Sequence, residues 1–361
     1  MIQLRVQTGT SSYTISVGNR AWQEVGRFCR REKYSSVFIV TESRIWRAWG
    51  RKFLQATGLH SASVILVPPG ERSKSLAGVK ALAQKLVKRR ADRESAVVVL
   101  GGGVVGDLAG FVASIYMRGI DTIQAPTTMV AQIDSAIGGK TGVNLPEAKN
   151  MLGTLTPPRL VAANPEVLGS LSPRAYRSGL YEAVKHGIIQ DPRLFHFIRE
   201  NLKPILAQDP KIMDRLIAWA AGVKVRVVNR DERESDLRRI LNFGHTLGHA
   251  LEAATHYRRF LHGEAVGWGM LLANRIAEEK KMLPPTEARK IEELICSLGP
   301  LPSLQGITSR QLVALLGRDK KTVRGVVHWI LSERIGSVRI VTRVANTLIE
   351  KAFRDVARLP V

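Results

Sequence analysis

The stretch that most restricts the fold is residues 96–107, where the apolar run Ala96-Val97-Val98-Val99-Leu100 meets Gly101-Gly102-Gly103-Val104-Val105-Gly106-Asp107. A helical pattern follows. Residues 96–117 are long enough to cross a bilayer, but Asp107 and five glycines interrupt them, so the segment reads as strand, tight turn and helix. The turn satisfies GxGxxG in the context that motif needs: glycines let the backbone approach a pyrophosphate, and the helix N-terminus offers free N–H groups to it. By itself the motif also suits a strand-to-helix turn with no ligand. No acidic residue stands at the usual distance beyond it.

Around this unit, short apolar runs at 37–40, 64–67 and 122–125 alternate with helix-period segments such as 74–90. That alternation predicts βαβ units and a parallel sheet. The texture changes at Thr156-Pro157-Pro158 and again at Ser172-Pro173, after which long amphipathic helices dominate. With 361 residues, two domains are the natural expectation: an α/β domain over 1–165 and a helical one over 166–361. No internal repeat or low-complexity segment occurs.

The net charge of +23 fits nucleic-acid binding, an anionic substrate or a solvated basic surface. Basic residues come in scattered pairs and triplets such as Lys88-Arg89-Arg90 and Lys280-Lys281, never in a block of five. Zinc-finger spacing, RNP-type aromatics and a basic heptad region are absent, so neither nucleic acid nor membrane is expected as a partner. A few of the cations could hold substrate. Cys29 and Cys296 are the only cysteines and form no CxxC, which predicts a reducing compartment without disulfides. The N-terminus alternates like a strand and lacks the regions of a signal peptide, so a cytoplasmic location is expected.

Two further segments carry chemistry. Asp134-Ser135-Ala136-Ile137-Gly138-Gly139-Lys140-Thr141-Gly142 contains Gly-Gly-Lys-Thr without the first glycine of a Walker A loop, which excludes an ATPase and leaves a lysine among glycines as an anion cradle. His245 and His249 stand four apart, on one face of a helix. They lack the glutamate of a zinc-protease motif. With His262 and an upstream acid, Glu182, they make a His/His/Glu catalytic metal set possible; spacing alone leaves open which three bind.

Taken together and in this order, the motifs resemble the 3-dehydroquinate synthase family. The strings are Pro69-Gly70-Glu71 with Lys74, 101–110, Tyr116-Met117-Arg118-Gly119, Pro126-Thr127-Thr128, 134–141, Lys149-Asn150, Glu182 with Lys185, 241–249, His262-Gly263-Glu264 and Asp319-Lys320-Lys321. They span most of the chain, and the set is far more specific than any member. One departure is Ala148, where the family usually has glycine.

The resemblance implies an α/β N-terminal domain with a mainly parallel nucleotide-binding sheet and an all-α C-terminal metal-binding domain, assembled as a homodimer. It implies a shikimate-pathway lyase that converts 3-deoxy-D-arabino-heptulosonate 7-phosphate to 3-dehydroquinate and phosphate, with NAD and Zn²⁺ or Co²⁺. On the matching positions Glu182, His245 and His262 hold the metal, and His249 contacts substrate and handles protons. Lys140, Lys149, Asn150, Arg118 and one of Lys320 or Lys321 gather the phosphate; Arg118 could reach across a dimer interface. Lys185, Lys224, Arg238 and Asn242 meet the carboxylate. NAD is held by Glu71, Lys74, Gly102, Gly103, Asp107, Thr127, Thr128 and Asp134, with Lys140 and Lys149 beside it. Arg238 and Asn242, four apart, would present a guanidinium and an amide on one helical face, a feature that carboxylate-free cyclases lack. The competing readings are another sugar-phosphate cyclase, a metal-dependent polyol or glycerol-phosphate dehydrogenase, which needs no phosphate cradle, and a non-catalytic anion binder.

Overall fold

A computed structural model describes residues 1–234, 236–316 and 327–359. The chain begins β1 (Ile2–Gln7), β2 (Ser12–Val17), α1 (Ala21–Glu32), β3 (Val37–Glu42), α2 (Ser43–Thr57), β4 (Ser63–Val67), α3 (Leu76–Lys88). It continues β5 (Ala96–Gly101), α4 (Gly103–Ile115), β6 (Asp121–Pro126), β7 (Lys140–Leu145), β8 (Ala148–Leu155), β9 (Leu160–Ala163). Then come α5 (Pro173–Gln190), α6 (Pro192–Glu200), α7 (Leu202–Leu206), α8 (Pro210–Arg230), α9 (His245–Ala254), α10 (His262–Glu279) and α11 (Pro285–Ser297). The last elements are α12 (Ser309–Leu316), β10 (Trp329–Arg334), β11 (Ser337–Val341) and α13 (Asn346–Val356).

Two compact units form. The first comprises Met1–Leu171 and Pro210–Arg233, the second Ser172–Asp209 and Glu234–Val361. This differs from a single cut near residue 165. The helix α8 joins the first unit because its partners lie there: Asn229 Oδ1 accepts the Gln7 N–H of β1 at 2.9 Å, and Lys224 donates to the Asp134 carbonyl at 2.7 Å. Such partnerships are non-local, so the helical periodicity of 210–230 is silent about them.

In the first unit, seven strands run in the order β1-β2-β9-β6-β5-β3-β4. Only β1 and β2 pair antiparallel; the other neighbours are parallel. Every residue of β5 is buried, as a central strand covered on both faces requires. Val97 and Val99 pack with Leu82, Leu86, Leu108 and Val112 of α3 and α4. Val98 and Leu100 point the other way, to Trp22, Val25 and Phe53 of α1 and α2. Each such side chain contributes about 1.5–3 kcal/mol by burial, so the sheet centre holds the strand-to-helix turn rigidly. Separately, β7 and β8 form an antiparallel hairpin.

The second unit is helical but not all-α, since β10 and β11 pair as an antiparallel hairpin that the helical texture of the sequence concealed. The helices α5 and α10 are buried along most of their length. Their approach depends on Gly263: a Cβ there would lie 1.7 Å from the Ser178 carbonyl oxygen of α5.

Candidate active site

The turn after β5 is built by close packing. Gly102 is extended and α4 starts at Gly103, while Thr127 N–H donates to the Gly101 carbonyl at 2.9 Å. A Cβ on Gly102 would come within 2.9 Å of the Thr128 side chain, and one on Gly103 within 2.9 Å of Ser135 Oγ. One cavity is lined by Gly102, Gly103, Gly106 and Asp107 together with Ser135, Gly139, Lys140 and Thr141. The two glycine-bearing segments therefore line one cavity inside the first unit, at the N-terminus of α4, where free N–H groups could receive an anion. In the following segment Thr127 Oγ1 is fully buried and has no hydrogen-bond partner among the described residues, a donor left to be matched.

The cations of this unit are mostly spoken for. Lys74, buried, donates to both Asp107 Oδ2 and Asn150 Oδ1. Burial raises the Asp107 carboxyl above the ordinary carboxylate range, with the Lys74 ammonium opposing the shift. Asp134 sits in a π-turn, Ala131–Ser135, and takes Lys224. The resemblance groups Lys224 with the carboxylate contacts; its ammonium also pairs with Asp134. Arg118 and Lys140 are exposed and Lys149 half-buried, and Arg118 takes a left-handed φ of 73°.

In the second unit, α5 carries Glu182 and Lys185 at 0% and 1% exposure, with Lys185 Nζ 2.5 Å from Glu182 Oε2. Glu182 Oε1 faces His262 Nε2 at 3.4 Å and His245 Nε2 at 3.7 Å. One ligand atom from each of Glu182, His245 and His262 lies within 4.8 Å of the others. His245 Nδ1 is 3.1 Å from the Phe243 carbonyl, so Nδ1 carries the hydrogen and the Nε2 lone pair is turned toward the carboxylate. A lone pair and an anion facing each other call for a proton or a metal cation between them, and the donor set is that of a catalytic zinc centre. The residues fit a divalent metal.

Neighbouring groups hold this set in place. Arg174 grips Glu264 with two bonds of 2.6 and 2.7 Å and the Arg259 carbonyl with a third at 2.7 Å. Glu264 in turn accepts the Leu261 N–H, and Ser178 Oγ accepts that of Gly263, so His262 is fixed at the first position of α10. On its other side His262 Nδ1 faces the buried Glu252 at 3.7 Å. Burial disfavours the His262 cation, but Glu182 and Glu252 outweigh it and raise the imidazole to about 9. The His249 ring lies 5.4 Å from that of His245 and 6.0 Å from that of His262, and His249, Glu252 and His262 form a second convergent trio.

Arg238 is buried, and Asn242 donates to Glu234 Oε1 at 2.9 Å. Both lie in a 3₁₀ turn, Leu237–Asn242, and not on an α-helix. At three residues per turn, positions four apart are rotated by about a third of a turn, so the shared helical face expected for them is not formed. Asp319-Lys320-Lys321 lies outside the described residues. Glu252, Glu234, Arg174 and Asn144 escaped the sequence reading; Glu252 stands on the same helix as the HxxxH pair, and that was the one signal for it.

The comparisons agree with this geometry. Residues 64–178 match the family model for the 3-dehydroquinate synthase N-terminal region, and 179–322 that for its C-terminal region. The 3-dehydroquinate synthase of Solibacter usitatus is 46% identical over 323 residues, covering 90% of each chain. That of Koribacter versatilis is 42% identical over 99% of each. Among solved structures, 2-deoxy-scyllo-inosose synthase complexed with carbaglucose-6-phosphate, NAD⁺ and Co²⁺ superposes with a TM-score of 0.88 at 26% identity, covering 98% of this chain and 100% of that one. A 2-epi-5-epi-valiolone synthase from Streptomyces hygroscopicus with NAD⁺ and Zn²⁺ bound gives 0.87 at 28%, covering 96% and 97%. The fold is thus of the sugar-phosphate cyclase kind, with the nucleotide-type turn in the first unit and the metal-type cluster in the second. The chain belongs to the 3-dehydroquinate synthase family.

Proposed function

We propose that this chain is a phosphate-eliminating lyase that converts 3-deoxy-D-arabino-heptulosonate 7-phosphate to 3-dehydroquinate and phosphate, using NAD and a zinc or cobalt ion. The observation that carries the reading is the Glu182, His245 and His262 cluster, whose ligand atoms converge as a divalent cation would need, in a chain with this family's sequence over both halves.

Bound together, NAD accepts and returns a hydride while the divalent ion holds and polarises the alcohol oxygens of the substrate. The rest is done by side chains. Glu182, His245 and His262 hold the ion, with the Phe243 carbonyl and Glu252 orienting the two imidazoles. His249, one turn beyond His245, moves a proton to or from substrate. Gly102, Gly103, Thr127, Thr128 and Asp134 accommodate the dinucleotide, with Glu71, Lys74 and Asp107 beside them, and Lys140, Lys149, Asn150 and Arg118 bind the phosphate as it departs. Lys185, Lys224, Arg238 and Asn242 receive the carboxylate, Arg238 being suited to a bidentate pair.

We further propose a homodimer: Ile115, Met117, Met151 and Leu155, all exposed, give the first unit an apolar surface next to Arg118. Among the described residues no helix is long and apolar enough to cross a membrane.

The test is phosphate release from the heptulosonate phosphate, with and without NAD and a chelator. Release should need both, with no NADH accumulating, because the hydride is returned each turnover. Steady NADH production from a polyol would instead show a dehydrogenase. Sedoheptulose 7-phosphate and glucose 6-phosphate should be poor substrates of the wild type, since they bring no carboxylate to Lys185, Arg238 and Asn242; comparable turnover would move the chain to a carboxylate-free cyclase.

A further inference from the structure

Asn144 is assigned no role by any motif, yet its side chain and backbone join three segments of the first unit. Its Oδ1 accepts the Asn150 N–H at 2.9 Å. That bond fixes the amide orientation, since a backbone N–H requires an oxygen, and so directs Nδ2 to Glu71 Oε1 at 2.7 Å. Its own N–H donates to the Lys74 carbonyl at 2.9 Å. One residue thereby ties the segment bearing Glu71 and Lys74 to the tip of the β7–β8 hairpin bearing Lys149 and Asn150.

The tie matters because both ends are exposed at the surface, Asn150 having the Lys74 ammonium as a further contact. Glu71 is exposed and belongs to a single 3₁₀ turn, Glu71–Ser73. Asn150 is exposed and takes a left-handed φ of 56°, a conformation that asparagine visits more readily than most residues with a Cβ. Its Oδ1 accepts from Lys74, which leaves the amide NH₂ as the group able to donate to a phosphate oxygen. A shift of the hairpin tip would move this donor and, through Lys74, the ammonium shared with Asp107.

From these contacts we infer that Asn144 is a positioning residue that orders the nucleotide-side Glu71 and the phosphate-side Asn150 at once. The assignment rests on the cyclase reading for what the two sides bind. Without the amide, each side loses one preorganising hydrogen bond and pays to order its segment on binding.

The experiment measures NAD and inorganic phosphate binding calorimetrically on the full-length metal-loaded protein. Asn144→Ala should weaken each ligand about tenfold, the scale of one net hydrogen bond. In a Glu71→Ala background the same substitution should add less than about twofold for NAD, because its partner is gone, and keep its whole effect on phosphate. A merely structural role would weaken NAD equally in both backgrounds, and that result would overturn the inference, as would unchanged phosphate binding in Asn144→Ala. Should Asn144→Ala fold poorly, Asn144→Asp keeps the acceptor for Asn150 and loses the donor to Glu71, so it should harm NAD binding more than phosphate binding; equal losses overturn the assignment. If the wild type binds both ligands and the variants bind as well, the inference falls alone. If the wild type binds neither, the cyclase reading falls with it.

Discussion

The first unit and the second hold charge in opposite ways. In the first, the glycine turn offers backbone: Gly102, Gly103 and the start of α4 present N–H groups, and the nearby cations Lys74 and Lys224 are matched by Asp107 and Asp134. In the second, ligand atoms come from side chains, and a carboxylate at 0% exposure is pressed against two imidazoles and a lysine. A site of dipoles is stable while empty and tolerates modest change, whereas a buried ionised cluster depends on every member, since removing one leaves the others uncompensated. The second unit should accordingly be the more fragile to point substitution.

The sharpest test is Glu182→Gln with His262→Ala. Each should lower metal affinity by about 100-fold or more, judged against the 10–100-fold typical of the groups that merely orient ligands, and abolish turnover; metal analysis of the purified proteins checks it. His249→Ala comes next, retaining metal and losing about 10²–10⁴-fold in rate. If that variant emptied the site while His245→Ala did not, the second trio of His249, Glu252 and His262 would be the metal set. Gly263→Ala should act through packing: with a Cβ 1.7 Å from the Ser178 oxygen, the helices must separate, at a cost of about 1–3 kcal/mol or more. Thermal melting and metal content should fall together, and an unchanged melting temperature would show that the contact relaxes freely.

The smallest effect is expected at the thiols. Burial pushes Cys29 up to about 11, with Arg30 opposing, and pushes Cys296 to about 11 with Glu292 adding to it. A raised value means less thiolate at any given pH. Labelling of both should therefore be slow at pH 8 and accelerate about tenfold per unit toward pH 11; rapid labelling at neutral pH would contradict it.

How far these centres could be read in advance follows the same contrast. A glycine turn announces itself because the backbone demands the residue, so Gly101-Gly102-Gly103 after an apolar run placed β5 and α4 correctly. The HxxxH pair was legible through helical period, and Glu182 through resemblance. Asn144, Glu252 and Arg174 were not, because their partners lie on other segments or on a side of the helix that spacing does not mark. Arg238 and Asn242 misled for a related reason: the four-residue spacing presumes an α-helix, and the local backbone winds as 3₁₀.

The return of α8 to the first unit bears on how the protein is made. A ribosome releases β1 to β9 well before residues 210–233, so the sheet cannot gain the helix that supports β1 until the intervening 172–209 segment has also emerged. Lys224 then reaches Asp134, and Asn229 reaches Gln7, from more than 80 residues downstream. An expression fragment ending at 171 would therefore lack a structural member of its own unit, and limited proteolysis within 172–209 should leave two pieces that copurify.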